Sequence, residues 1–218
     1  MGKGIARYAP LTGFGAVVLG AIGILLFQTW ADEPSSKAPA AELAAWMNDK
    51  GTEILISTWV MWLAGMSFLW FLGSLRGVLR RGEGAPGRVS AIATGGGIVA
   101  VGLFMAAFAP VMAAAGASNW DDRVVTPSTA ESLYILGLNG FFLAIEMAVG
   151  VLVLATAIVV LRSTTLPKWY GWLGLLYGIW LLVLPIGWLG FFGFPIWILL
   201  TTGLVWMAES KSSGGVTA

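Results

Sequence analysis

Residues 138–162 read LNGFFLAIEMAVGVLVLATAIVVLR, and this stretch decides the fold class. Between Asn139 and Arg162 only Glu146 is ionisable, and the rest is Ala, Val, Leu, Ile, Phe, Met, Gly and one Thr. A helix in a water-soluble domain keeps a polar face, whereas this segment has none. At 1.5 Å per residue about 20 such residues cross a hydrocarbon core about 30 Å thick, so the segment is expected to be a membrane-spanning helix.

Working outward, the same pattern recurs. The chain has 218 residues, 58% of them hydrophobic and 11% charged, with a mean hydropathy of +0.85, well away from the balance of soluble domains. Apolar runs place spans at 11–30, 52–75, 89–115, 133–161, 168–185 and 191–208, a six-span all-α bundle forming a single domain over 1–210 with a flexible tail at 211–218. The first run, Leu11 to Trp30, exceeds the usual core of a secretory signal, and Thr29-Trp30-Ala31 is a poor cleavage site, so it is expected to stay as a span. The 41 residues from Lys168 to Ala208 are too long for one crossing; the glycine-rich PIGWLGFFGFP between Pro185 and Pro195 is expected to turn the chain back.

The connections carry their own signals. In ADEPSSKAPAAELAAWMNDKG, residues 31–51, Pro39 can open a short helix with Leu43, Trp46 and Met47 on one side, lying on the membrane surface or over the bundle. RGVLRRGEGAPGR, residues 76–88, is rich in Gly and Pro and predicts a turn. Ser128 and Glu131 have capping-box spacing for the start of the fourth helix, which at about 48 Å should protrude into water. Lys3, Arg7, Arg76, Arg80, Arg81, Arg88, Arg162, Lys168 and Lys211 all fall on one side of a six-span arrangement. Only Lys37, Lys50 and Arg123 of the twelve basic residues fall on the other. By the positive-inside rule both termini are expected to be cytoplasmic.

Composition excludes much chemistry. The chain has no Cys and no His, which removes thiol nucleophiles, disulfides, ordinary zinc sites, iron–sulfur clusters, His-ligated haem and Ser-His-Asp catalysis. The acids lack calcium-loop spacing, so no metal and no cofactor are expected. A net charge of +1 with scattered basic groups gives no footprint for nucleic acid.

Glu146 is therefore the default functional candidate, because an acid in hydrocarbon costs roughly 2.5–3.5 kcal/mol and such residues usually face the bundle interior or a water-filled cavity. It lies about 24 Å along the helix from Arg162, which places it toward the outer side. Asn139, two helical turns earlier, shares its face and could line an outward polar cleft with it. The structural alternative is that Glu146 bonds a hydroxyl such as Ser57 or Thr58 and holds the bundle together. Most of the 12 tryptophans, among them Trp30, Trp59, Trp120, Trp169, Trp172, Trp188 and Trp206, are expected to anchor helices at headgroup level. Gly95, Gly96, Gly97, Gly102, Gly171, Gly174 and Gly178 are expected at close helix contacts.

PAAELAAWMNDKG, FLWFLGSLRGVLRRGEG and LPKWYGWLGLLYGIWLLV, in this order, resemble a family of uncharacterised bacterial six-helix membrane proteins, a domain of unknown function. The resemblance covers most of the chain; it implies this topology and a bacterial plasma membrane and carries over no catalytic residue. The reading that follows is a non-enzymatic accessory subunit or small sensor, in contact with the lipid bilayer and with a membrane-protein partner or a second copy. The alternative is a transporter or binder of a lipid or other amphiphile through a cleft at Glu146 and Asn139. An intramembrane carboxylate enzyme is disfavoured, because Glu146 has no second acid in its span.

Overall fold

The structure is a computed structural model that describes residues 8–121, 123–183 and 187–214, and within them leaves the side chains of 139, 187–191 and 211–214 undescribed. The described residues are helical throughout apart from short connections. In chain order α1 is Thr12–Leu25, entered through a 3₁₀ turn at Ala9–Leu11 and extended by a π-helical turn at Leu26–Trp30; α2 is Ala40–Asp49; α3 Gly51–Glu83; α4 Arg88–Asp121; α5 Pro127–Tyr134, running into a π-helical turn at Ile135–Asn139; α6 Phe142–Arg162; α7 Lys168–Val183; and α8 Gly187–Gly214. Among the described residues five segments are long and apolar enough to cross a membrane: Ala9–Trp30, Gly51–Glu83, Arg88–Asp121, Pro127–Arg162 and Phe192–Ser210. α7, described over 16 residues, is not among them.

Several helix ends differ from expectation. The turn expected over residues 76–88 is confined to 84–87, since α3 continues through Gly77 and Gly82 to Glu83. Gly82 belongs to the helix because it is pressed against the loop after α6: a Cβ there would lie 2.8 Å from the Ser163 hydroxyl. Gly84 and Gly87 supply the left-handed backbone of the turn, with φ of +79° and +70°. The α3–α4 joint is then closed by Glu83, whose two carboxylate oxygens accept the Val89 and Ser90 amides at 2.8 Å each and satisfy two open donors at the start of α4.

Ser128 is not the cap of α5. Thr126 occupies that position, its hydroxyl accepting the Thr129 amide, and Pro127 fills the first helical position. Of the turn expected over 185–195, residues 187–195 are helical, α8 beginning at Gly187 and carrying Pro195 inside it, and 184–186 lie outside the described residues. Likewise the tail is helical as far as Gly214, and 215–218 lie outside the described residues.

The chain divides into two compact units. One comprises Met1–Val17, Met66–Val101 and Leu143–Ala218; the other comprises Val18–Gly65 and Gly102–Phe142.

In the first unit, glycine sets how closely helices meet. A Cβ at Gly96 of α4 would lie 2.9 Å from the Leu152 amide nitrogen and 3.0 Å from the Ala148 carbonyl oxygen of α6. Along α7, Gly171, Gly174 and Gly178 face Leu161, Ala157 and Leu154 of α6 in the same manner, the small-residue packing of membrane helices. Gly97 meets Leu72, whereas Gly95 has nothing within 4 Å.

In the second unit, α2 packs along α5 and buries Leu43, Trp46 and Met47, the side marked by their spacing. Gly137 in the π turn sits so close to the Ala107 carbonyl that a Cβ would be 2.5 Å from it. Gly102 faces open space.

Of the tryptophans expected at interfaces, Trp30, Trp59, Trp120, Trp169, Trp172 and Trp206 are exposed, as rings facing lipid or headgroups would be. The side chain of Trp188 lies outside the described residues.

Candidate functional site

Glu146 lies in the first unit, on the stretch of α6 that turns inward with Ile145, Ala148 and Val149, and only 3% of it is exposed. Its Oε2 has no hydrogen-bond partner. One turn on, Gly150 accommodates Leu182 of α7. Tyr177, also on α7, rests its ring on Gly193 of α8, where a Cβ would meet the phenol at 2.9–3.1 Å. The carboxyl thus sits in the packed part of α6 with one oxygen unsatisfied. A buried polar group without a partner costs about 1–3 kcal/mol, and an ionised one costs more.

No family model, curated protein or solved structure matches the chain.

The other residues singled out by sequence fare differently. Asn139 ends the π-helical turn, and Gly140 and Phe141 separate it from α6. The α-helical register that would put it on the same face as Glu146 is therefore broken between them, and its side chain lies outside the described residues. Ser57 is turned back on its own helix, donating to the Glu53 carbonyl at 2.7 Å. The Thr58 hydroxyl is buried without a partner. Among the described residues no three acids lie together in a way that could hold a metal ion.

The second unit carries a site that the sequence did not announce. Its connecting segments are tied down by side chains rather than left as loops. Trp46 Nε1 donates to the Ala31 carbonyl at 2.7 Å. Asn48 reads the backbone of Val125 twice, its Oδ1 accepting the Val125 amide at 2.9 Å and its Nδ2 donating to the Val125 carbonyl at 3.1 Å. Tyr134 donates to Glu33 Oε1 at 3.0 Å. Phe27, Trp46 and Tyr134 stand edge to face beneath these ties, with Phe108 against Phe27. Burial raises the Glu33 carboxyl above its ordinary range, and the Tyr134 hydrogen bond offsets part of that rise. Next to it Asp32 takes a left-handed φ of +54°, uncommon outside glycine. Ties of this kind join residues up to 101 positions apart, which local pattern cannot reveal.

A cleft of about 360 Å³ also opens along α3 and α4 of this unit, walled by Leu55, Trp62, Met112, Gly116 and Trp120. The indole nitrogen of Trp62 is buried there without a partner.

Proposed function

We propose that this chain is a multi-pass protein of a bacterial plasma membrane, with six spans and both termini cytoplasmic, that works without catalysis as an accessory subunit of a membrane complex or a small sensor. The sixth span in this reading is α7. The observation that carries it is the tied surface of the second unit. Trp46, Asn48 and Tyr134 fix α2 and α5 in one arrangement, and the outer sides of these helices present Glu42, Asp49, Ser128 and Glu131 to solvent. Fixing loops in advance lowers the ordering cost of association, which is what a recognition face requires. The same sequence features that resemble the uncharacterised bacterial family support this topology. Membranes solubilised gently should release the chain in a particle larger than the chain alone, and breaking the ties should return it to its own size. A chain that elutes alone from fresh membranes, or that turns over a substrate when pure, sinks this reading.

A second reading is favoured by one observation, the unpartnered Oε2 of a buried Glu146. A transporter or binder of an amphiphile keeps such a group for its ligand, with Asn139 as the second candidate, and accepts the loss of stability. Glu146→Met separates the two roles. If the carboxyl serves a ligand, Met raises the melting temperature; if it holds helices together, Met lowers it.

A further inference from the structure

The exposed side of α3 within the first unit changes character along its length. Met66, Trp70, Gly73, Gly77 and Arg80 follow at three- and four-residue steps on one stripe, with Arg76 on its flank. Trp70 is 69% exposed. Gly73 has no atom within 4 Å of where its Cβ would be, and Gly77 only the Arg81 guanidinium at 3.9 Å, so a notch interrupts the stripe between the ring and the arginines. Arg76, Arg80 and Arg88 are exposed, and the stem of Arg80 leans over Gly87 beside Arg88.

Nearby acids do not neutralise this end. Glu83 is engaged by the Val89 and Ser90 amides, and Glu209 pairs with Arg81 at 4.0 Å. Among the described residues Arg76, Arg80 and Arg88 form no ion pair. Further positive charge gathers at the same end: Gly82 abuts Ser163 and Thr165 of the α6–α7 connection, which is flanked by Arg162 and Lys168.

We propose that this stripe seats an anionic phospholipid, its phosphate between Arg76 and Arg80 with Arg88 close by, its glycerol in the Gly73–Gly77 notch and its chain along Trp70 and Met66. Arginine suits phosphate because its planar fork donates two parallel hydrogen bonds. Continuity of the cations with an aromatic, apolar run selects a headgroup attached to a tail over a soluble anion. The stripe from Met66 to Arg80 is about 21 Å long, enough for headgroup, glycerol and the upper part of a chain.

The test is titration of the full-length purified chain in detergent with phosphatidylglycerol or phosphatidylcholine, read by native mass spectrometry. Phosphatidylglycerol should bind more tightly. An arginine near the headgroups contributes about fivefold, so R76Q/R80Q should weaken phosphatidylglycerol about thirtyfold and leave phosphatidylcholine unchanged. Gly73→Leu, which fills the notch without altering charge, should also weaken it, and R123Q in the other unit should not. Equal binding of the two lipids by the unaltered chain overturns the proposal. Unchanged binding in R76Q/R80Q overturns it as well, and so does displacement of the lipid by an equal concentration of inorganic phosphate.

Discussion

Replacing Asn48 with alanine removes both ties to Val125 in one step. The amide of Asn48 supplies an acceptor at 2.9 Å and a donor at 3.1 Å to a backbone unit whose residue is only 7% exposed. Each neutral hydrogen bond contributes about 1 kcal/mol net, and orphaning a buried backbone group adds about 1–3 kcal/mol. Even if water reaches the vacated space and recovers part of this, about 2–3 kcal/mol should be lost from the ordering of the segment between α4 and α5. At 1.4 kcal/mol per tenfold, that is an increase of about 30- to 150-fold in the opening constant. Hydrogen exchange of peptides covering 123–134 reads this opening directly, because locally opened amides exchange in proportion to it. Asn48→Asp should be as damaging as alanine, since it keeps the acceptor for the amide but turns a carboxylate oxygen toward the Val125 carbonyl. Exchange within threefold of the unaltered chain for both variants would refute the reasoning, because the bonds would then contribute nothing to holding the segment.

Because burial raises the Glu33 carboxyl, its neutral form is favoured by the fold; the stability it supports is complete below about pH 4.3 and falls as pH rises through the elevated folded value. Glu33→Gln should therefore match the unaltered chain in acid and exceed it near neutrality in thermal melts, and a difference between the two that stays flat with pH would count against the assignment. Trp46→Phe keeps the ring contact with Phe27 but leaves the buried Ala31 carbonyl unpaired, so it should cost about 1–3 kcal/mol by denaturant titration. Gly96→Leu should destabilise the first unit by about 3 kcal/mol or more, as its Cβ meets the backbone of α6. Gly95→Ala, with nothing within 4 Å, should instead gain up to about 1 kcal/mol of helix propensity, as a melting-temperature comparison will show.

What the sequence made legible follows from how local each signal is. Leu43, Trp46 and Met47 lie on one side of α2 because helical periodicity is written within ten residues, and Glu146 stands out because nothing else in its run is ionisable. Helix ends were harder. Glycine weakens a soluble helix, but within a bundle its lack of a side chain permits the contact of Gly82 with Ser163, so α3 outruns the turn expected there. Thr126-Pro127 was the better start signal for α5 and was masked by the capping-box spacing of Ser128 and Glu131. A π-helical turn at Ile135–Asn139, packed through Gly137 against the Ala107 carbonyl, interrupts the α-helical register between Asn139 and Glu146, and no spacing signals it. The ties of Asn48 to Val125 and of Tyr134 to Glu33 depend on distant segments meeting, and no spacing encodes them.

The division of the chain also bears on how it is made. Every residue of the second unit has been synthesised once Phe142 has emerged, whereas the first unit draws on both the earliest residues and everything after Leu143. Synthesis from the N-terminus therefore gives the second unit its full set of contacts while the first still lacks α6, α7 and α8, and segments generally assemble as they become complete. During that interval the face of α4 around Gly96, which α6 will later cover, has only lipid, or a chaperone of the insertion machinery, to lie against. Substitutions at Gly96 would then be felt as lost yield in the membrane before they were felt as lost stability in the finished protein.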